Sequence, residues 1–276
     1  MSSFVILSDI EKRIKEKIEK VGIPLKNWDI QINYGIKTGF NEAFIINGEK
    51  KAELVAKSSK NAEIIRPILR GRDIKRYGYE FADLWLICTF PSLNIDIEEY
   101  PAVKEHLLSY GYDRLKQAGE NGSRKKTNNK WFETQDSISY WDDFSKQKII
   151  WIELTDHPNF ALDLDGYYIN NTVFFITGKH LKYLTAFLNS KICEWYFDKI
   201  CATSGVGTRR WIKMYIDQIM IPKISLEQES VIEAIMDNIT DNKKISPSVE
   251  MSINSLISEL FGLSANEFNH VMNAIL

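Results

Sequence analysis

G-I-K-T-G-F-N-E-A-F at residues 35–44 and I-R-P-I-L-R-G-R-D-I-K-R-Y at residues 65–77 are the two densest patterns of this chain. The first sets Gly35 and Gly39 around Lys37 and Thr38, with Asn41 just beyond. The second crowds Arg66, Arg70, Arg72, Lys75 and Arg76 together, with Asp73 among them. Glycine lets a backbone approach a partner closely and adopt positive φ. Arginine carries a rigid fork of donors suited to phosphate and to guanine edges. Arg70-Gly71-Arg72 is too tight for an exposed helix, and Asp73 is placed to orient a neighbouring arginine through a forked pair. The two patterns read as a nucleic-acid contact surface.

Two further stretches share that composition. Arg124, Lys125, Lys126 and Lys130 precede Trp131-Phe132-Glu133, and Arg209, Arg210 and Lys213 surround Trp211. Basic residues interleaved with aromatics suit backbone contact plus stacking. Outward from these stretches the chain alternates between short strands and helices. Residues 8–20 predict a helix, since Ser8 and Glu11 have capping-box spacing and Ile10, Ile14 and Ile18 recur every four residues. Asp29–Asn33 and Ala43–Ile46 predict strands, the second ending at an Asn47-Gly48 turn. Leu84–Phe90, Lys148–Leu154, Asn159–Leu164 and Tyr167–Ile176 predict further strands, with Asp165-Gly166 as a hairpin turn. Residues 114–130 lack any apolar period and predict a long loop. Lys179–Phe197 predicts a helix, and 202–210 a flexible loop. After Pro222 the pattern is helical throughout, with capping boxes at Ser225/Gln228 and Ser264/Glu267.

The composition is that of a globular protein, with 44% hydrophobic and 26% charged residues. No apolar run is long enough to span a membrane, and no secretion signal opens the chain. The three cysteines are far apart and form no C-x-x-C, which argues against a disulfide framework or a zinc site and for a reducing cytoplasm. Charge is uneven. Residues 224–276 hold eight acids against Lys243 and Lys244, a net of −6, so the preceding 223 residues carry +4 of the chain's −2. A body with local basic loops is compatible with DNA, whereas the acidic helices are not suited to direct DNA contact.

Motifs that would carry chemistry are missing. The seven prolines include no Pro-Pro pair, so an N-P-P-Y methyltransferase loop is not in this chain. Neither G-x-G-x-x-G after a strand nor a phosphate-binding P-loop occurs. Acid-x-Lys triplets at Glu49, Asp73 and Asp241 lack the strand context of a metal-dependent nuclease. His106, His157, His180 and His270 match no metal or triad spacing. Catalytic and metal residues are therefore expected to be absent, and no cofactor is expected in this chain.

In its order and spacing, the chain resembles the TaqI-like C-terminal specificity domain of type IIG restriction–modification enzymes and adenine-specific DNA methyltransferases. The resemblance is carried by the two patterns above, then Trp85-Leu86-Ile87, Tyr100–Leu107, Arg124–Glu133, Leu188-Asn189-Ser190-Lys191, Ile221-Pro222 and L-I-S-E-L-F-G-L-S-A-N-E at 256–267. It implies an α+β fold: a mixed, β-rich target recognition domain over 1–222, beginning with the helix at 8–20, and an acidic helical segment over 223–276. It implies sequence-specific binding of double-stranded DNA. A partner methyltransferase domain, in cis or in trans, would methylate adenine using S-adenosylmethionine, with magnesium in a parent that also cleaves DNA. The alternatives are a protein-interaction module whose basic loops are only solvated and, with less support, a metal-dependent nuclease.

Overall fold

The computed structural model describes residues 7–201, 209–242 and 245–274. In chain order its first half comprises α1 (Asp9–Val21), β1 (Gly22–Pro24), β2 (Ile30–Tyr34), α2 (Asn41–Phe44), β3 (Ile45–Asn47), α3 (Gly48–Lys57), β4 (Ile65–Leu69), β5 (Ile74–Lys75), β6 (Gly78–Tyr79), β7 (Leu84–Ile87), α4 (Pro101–Leu108) and α5 (Tyr112–Leu115). The second half comprises β8 (Lys148–Ile152), β9 (Leu154–Thr155), β10 (Phe160–Asp163), β11 (Tyr168–Ile169), β12 (Val173–Gly178), α6 (Leu181–Leu188), α7 (Lys191–Ile200), β13 (Arg209–Arg210), α8 (Lys213–Ile216), β14 (Met220–Pro222), α9 (Leu226–Asn242), α10 (Pro247–Leu260) and α11 (Ala265–Ala274). The fold is α+β.

A central antiparallel sheet in the order β10-β8-β12-β2 divides the molecule. Its side chains alternate between faces, as strand geometry requires. Ile149, Trp151, Phe160, Leu162 and Ile176 enter one core, which they share with α1, α6, α7 and the three C-terminal helices. Ile150, Ala161, Val173 and Phe175 enter the other, which they share with a mixed sheet in the order β11-β4-β7-β3. Both faces are buried, so the strands read as continuous apolar runs. At the rim of this sheet Lys148 and Asp163 are register partners and completely buried. Lys148 Nζ donates to Asp163 and to the carbonyl of Phe144, and Asp163 also accepts from the Asp165 and Tyr167 amides at 2.9 Å. Burial pushes the Lys148 ammonium down, and Asp163 opposes it.

The start of the chain lies against its end. Strand β1 pairs with β14, while Ile14 and Ile18 of α1 share a core with Ile232, Ile257, Phe261 and Val271. No separate core therefore begins at Pro222. Three of the acids in the C-terminal segment take part in this docking. Glu250 pairs with Arg76 at 2.7 Å, Glu267 with Lys17 at 2.7 Å and Glu229 with His180 at 2.6 Å.

Several sequence expectations need correction. Ala43–Ile46 is not one strand, because Asn41–Phe44 forms a helical turn and only Ile45–Asn47 joins β7. Asn47-Gly48 is not a hairpin turn: Asn47 Oδ1 accepts from Lys50 N and caps α3, a helix the sequence reading missed. Asp165-Gly166 does turn the chain, with Gly166 at φ +75°. The flanking strands nevertheless join different sheets, β10 to β8 and β11 in parallel to β4. Lys179–Phe197 breaks into α6 and α7, because Ser190 caps a new helix by accepting from Cys193 N. Most of the loop expected at 202–210, including Gly205 and Gly207, lies outside the described residues.

Candidate nucleic-acid interface

Both glycine-containing patterns converge on one turn, Asn170–Thr172. A Cβ on Gly35 would lie 2.0 Å from the Asn170 carbonyl oxygen, so only glycine lets this strand end lie there. Gly35 N donates to Val173 O and Ile36 N to Ile169 O, both at 2.8 Å. From the other side Gly71 N donates to Thr172 Oγ1 at 3.3 Å, and a Cβ on Gly71 would approach that oxygen to 2.8 Å. Between the two segments lies an open groove of about 450 Å³. Asn41, Glu42, Arg70, Gly71, Arg72, Asn170 and Thr172 line it, with Ile45 and Leu84 as its apolar lining.

The groove's polar groups are held by local bonds. Arg70 forms a fork with Asp73, Nη2 to Oδ1 at 2.8 Å and Nε to Oδ2 at 3.0 Å. Asp73 is itself buried and accepts from the Arg70 amide, which locks the pair to the backbone. The carboxylate raises the guanidinium's pKa further. This is the pairing that the spacing of Asp73 indicates. Arg72 is exposed, and no side-chain partner is seen for it among the described residues. Thr38 is buried, its hydroxyl donating to Asn41 Oδ1 at 2.7 Å. Exposed Lys37 and Lys125 both lie near Asp136, whose carboxyl burial pushes up and these two lysines pull back. On the far side of Thr172, Glu153 N donates to Thr172 O at 3.3 Å, and Arg210 Nη2 bonds Glu153 at 2.7 Å. Basic residues thus lie on both sides of the groove, Lys37 and Lys125 near Asp136 on the Thr38 side and Arg210, paired with Glu153, on the Thr172 side, with Arg70, Arg72 and the acid Glu42 in its lining.

Most other basic residues marked by the sequence are buried or tied to local partners, whereas Lys126 and Lys130 are open to solvent. Arg124 is 3% exposed and surrounded by backbone carbonyls. Arg76 turns inward to Asn189 O and Glu250. Arg209 is held by Asp198, Glu194 and the Asp156 carbonyl. Arg66 folds back on the carbonyls of Ala62 and Ile65. Lys75 caps the Arg72 carbonyl, and Lys213 is paired with Asp217. Trp131 is half-buried between Tyr112 and Phe132, so its ring is not a free stacking platform. Sequence reasoning missed Asn170 and Thr172. Their signal was a polar Asn-Asn-Thr interruption inside an apolar run.

Chemically, the groove offers donors and a cation at fixed positions, a shape for holding an anion or a base edge. Among the described residues no cluster of three His, Cys, Asp or Glu side chains can hold a metal ion. The family described as TaqI-like C-terminal specificity domain matches residues 66–221, more than half of the chain. The chain belongs to this family. The matched part of this TaqI-like domain includes Arg70, Arg72, Asp73, Asn170 and Thr172, whereas the Gly35–Phe44 segment precedes it. Two solved structures share the fold. The type IIL restriction-modification enzyme MmeI, solved in complex with DNA, superposes with a TM-score of 0.58 at 10% identity, over 92% of this chain and 36% of its own. The type IIG restriction endonuclease BpuSI superposes with a TM-score of 0.60 at 15% identity, over 97% of this chain and 32% of its own. The chain thus spans about a third of either enzyme. No curated protein matches the chain.

Proposed function

We propose that this TaqI-like specificity domain recognises a double-stranded DNA sequence on behalf of a type IIG-like restriction–modification enzyme. It holds the duplex while a methyltransferase domain outside these residues, in cis or in trans, flips and methylates an adenine. S-adenosylmethionine, and magnesium if the parent also cleaves DNA, belong to that remainder. These residues supply recognition and no chemistry of their own. The observation that carries the reading is the groove where forked Arg70 and unpaired Arg72 meet Asn41 and Asn170. A forked arginine is pre-oriented for a guanine edge, and an unpaired one beside it suits a phosphate. Family membership and the likeness to an enzyme solved with DNA support it.

The test is duplex binding by the chain across a salt series. Phosphate contacts from Lys37, Arg72, Lys125, Lys126 and Arg210 predict release of roughly 3–5 counterions. Affinity should fall correspondingly between low and physiological salt. Absence of binding at low salt, or binding indifferent to salt, would contradict the proposal.

A further inference from the structure

The Arg124 guanidinium is the most heavily committed cation near the groove. Nε donates to Leu115 O at 2.7 Å, Nη1 to Thr38 O at 2.9 Å and to Glu133 O at 2.8 Å, and Nη2 to Trp131 O at 2.6 Å. Those four carbonyls belong to three separate stretches: the end of α5, the Lys37–Asn41 loop, and the segment that follows Lys130. The guanidinium also lies 5.1 Å from the Phe44 ring. Burial lowers its pKa to about 10, with Glu133 opposing the shift, so the cation persists at neutral pH. The Lys37–Asn41 loop is also linked to the segment after Lys130 by longer bonds, Gln135 N to Lys37 O and Thr38 O at 3.2 Å and Asp136 N to Lys37 O at 3.3 Å, while Gln117 Nε2 ties the stretch after α5 to Glu133 O at 3.0 Å.

We propose that Arg124 is a positioning residue for DNA recognition: its guanidinium fixes the Lys37–Asn41 loop against the Lys125–Lys130 segment, so that both approach the duplex as one surface. This rests on the DNA-binding reading above. The geometry needs a planar group with several donors in fixed directions. Lysine carries the same charge as a compact head on a flexible stem and cannot reproduce the fork. Arg124 touches no DNA in this arrangement, because the residues that would touch it are the exposed lysines on either side.

The experiment compares wild type with Arg124→Lys in the full chain, by binding-site selection from random duplexes and by a salt series. Thermal unfolding confirms that the variant is folded. A folded Arg124→Lys should bind the wild-type consensus at least tenfold more weakly and with a smaller salt slope, because the Lys37 and Lys125 phosphate contacts that it positions are lost. Retained consensus and affinity would overturn the positioning role, even if the unfolding temperature falls. An unchanged salt slope would also overturn it, since lysine keeps the charge and would preserve a direct phosphate contact by residue 124 itself. Hydrogen exchange of the wild-type protein supplies a second measurement that does not depend on the variant folding. The Gln135 and Asp136 amides should exchange at the same rate as those of Arg124 and Thr127, as one clamped unit. Rates differing by more than tenfold would overturn the clamp. If wild type binds no duplex, the DNA-binding reading itself fails, an outcome separate from a wild type that binds and a variant that behaves identically.

Discussion

At the scale of single residues, the account turns on how each guanidinium is used. Arg70 is forked by a buried carboxylate, whereas Arg72 beside it is not. In the proposed function the fixed fork of Arg70 is assigned to a base edge and the free guanidinium of Arg72 to a phosphate. Arg70→Ala should therefore cost about 1–3 kcal/mol at one base pair and relax selectivity there. Arg72→Ala should weaken all sequences alike and reduce the salt slope by about one ion. Competition titrations with single-base variants of the selected site distinguish the two, and identical behaviour of both variants would sink the distinction. A second residue-scale prediction concerns Lys148 and Asp163. Removing one charge of a fully buried pair strands the other, so Lys148→Met should cost about 3–5 kcal/mol in denaturant unfolding. A loss below 1 kcal/mol would show that Asp163 is satisfied without it. The Arg70–Asp73 pair was legible in the sequence because both partners lie within one turn of chain. The burial of Arg124 was not. Its acceptors are backbone carbonyls, three within nine residues and one at distant Thr38, and composition carries no trace of them.

At the scale of elements, caps were the clearest text. Ser225 N bonds Gln228 at 3.0 Å and Ser264 N bonds Glu267 at 2.7 Å, at the spacings that mark capping boxes. Helix α1 begins in the same way, and its Glu11 also bonds Lys199 of α7 at 2.8 Å. That bond to Lys199 chiefly holds the Glu11 carboxyl at about 2, against an ordinary 4.5. A depressed carboxyl stabilises the fold above its unfolded pKa, and the contribution fades as pH falls through the folded value. Wild type should thus unfold at a higher temperature than Glu11→Gln near pH 6, and the gap should close between pH 4.5 and about 2. A gap unchanged across that window would show that the charge of Glu11 contributes nothing. Elements were misread where one dipeptide serves two structures. Asn47-Gly48 suits a hairpin as well as a helix cap, and only the pairing of Ile45–Asn47 with β7 decides between them. Likewise the apolar run from Tyr167 to Ile176 serves two sheets. Period alone cannot show where a buried run changes partner.

At the scale of the molecule, the shared sheet makes the C-terminal helices part of the fold. The composition break at Pro222 is real, but the apolar residues beyond it fill a core already begun by α1 and α6. The chain cut after Pro222 should lose cooperative unfolding, and Ile257→Ala should cost about 2–5 kcal/mol. A truncated chain with an intact unfolding transition would refute this integration. The uneven charge takes on a structural meaning here, since Glu229, Glu250 and Glu267 are consumed in docking onto the body. This leaves the groove, with the basic residues on both sides of it, as the face proposed for DNA. The central claim is that this face reads sequence. Binding-site selection from random duplexes by the wild-type chain, run beside Arg70→Ala, tests it most directly. The account predicts that wild type enriches one consensus and that Arg70→Ala loses preference at a single base pair within it. Failure of wild type to enrich any sequence, or an unchanged consensus in Arg70→Ala, would contradict it.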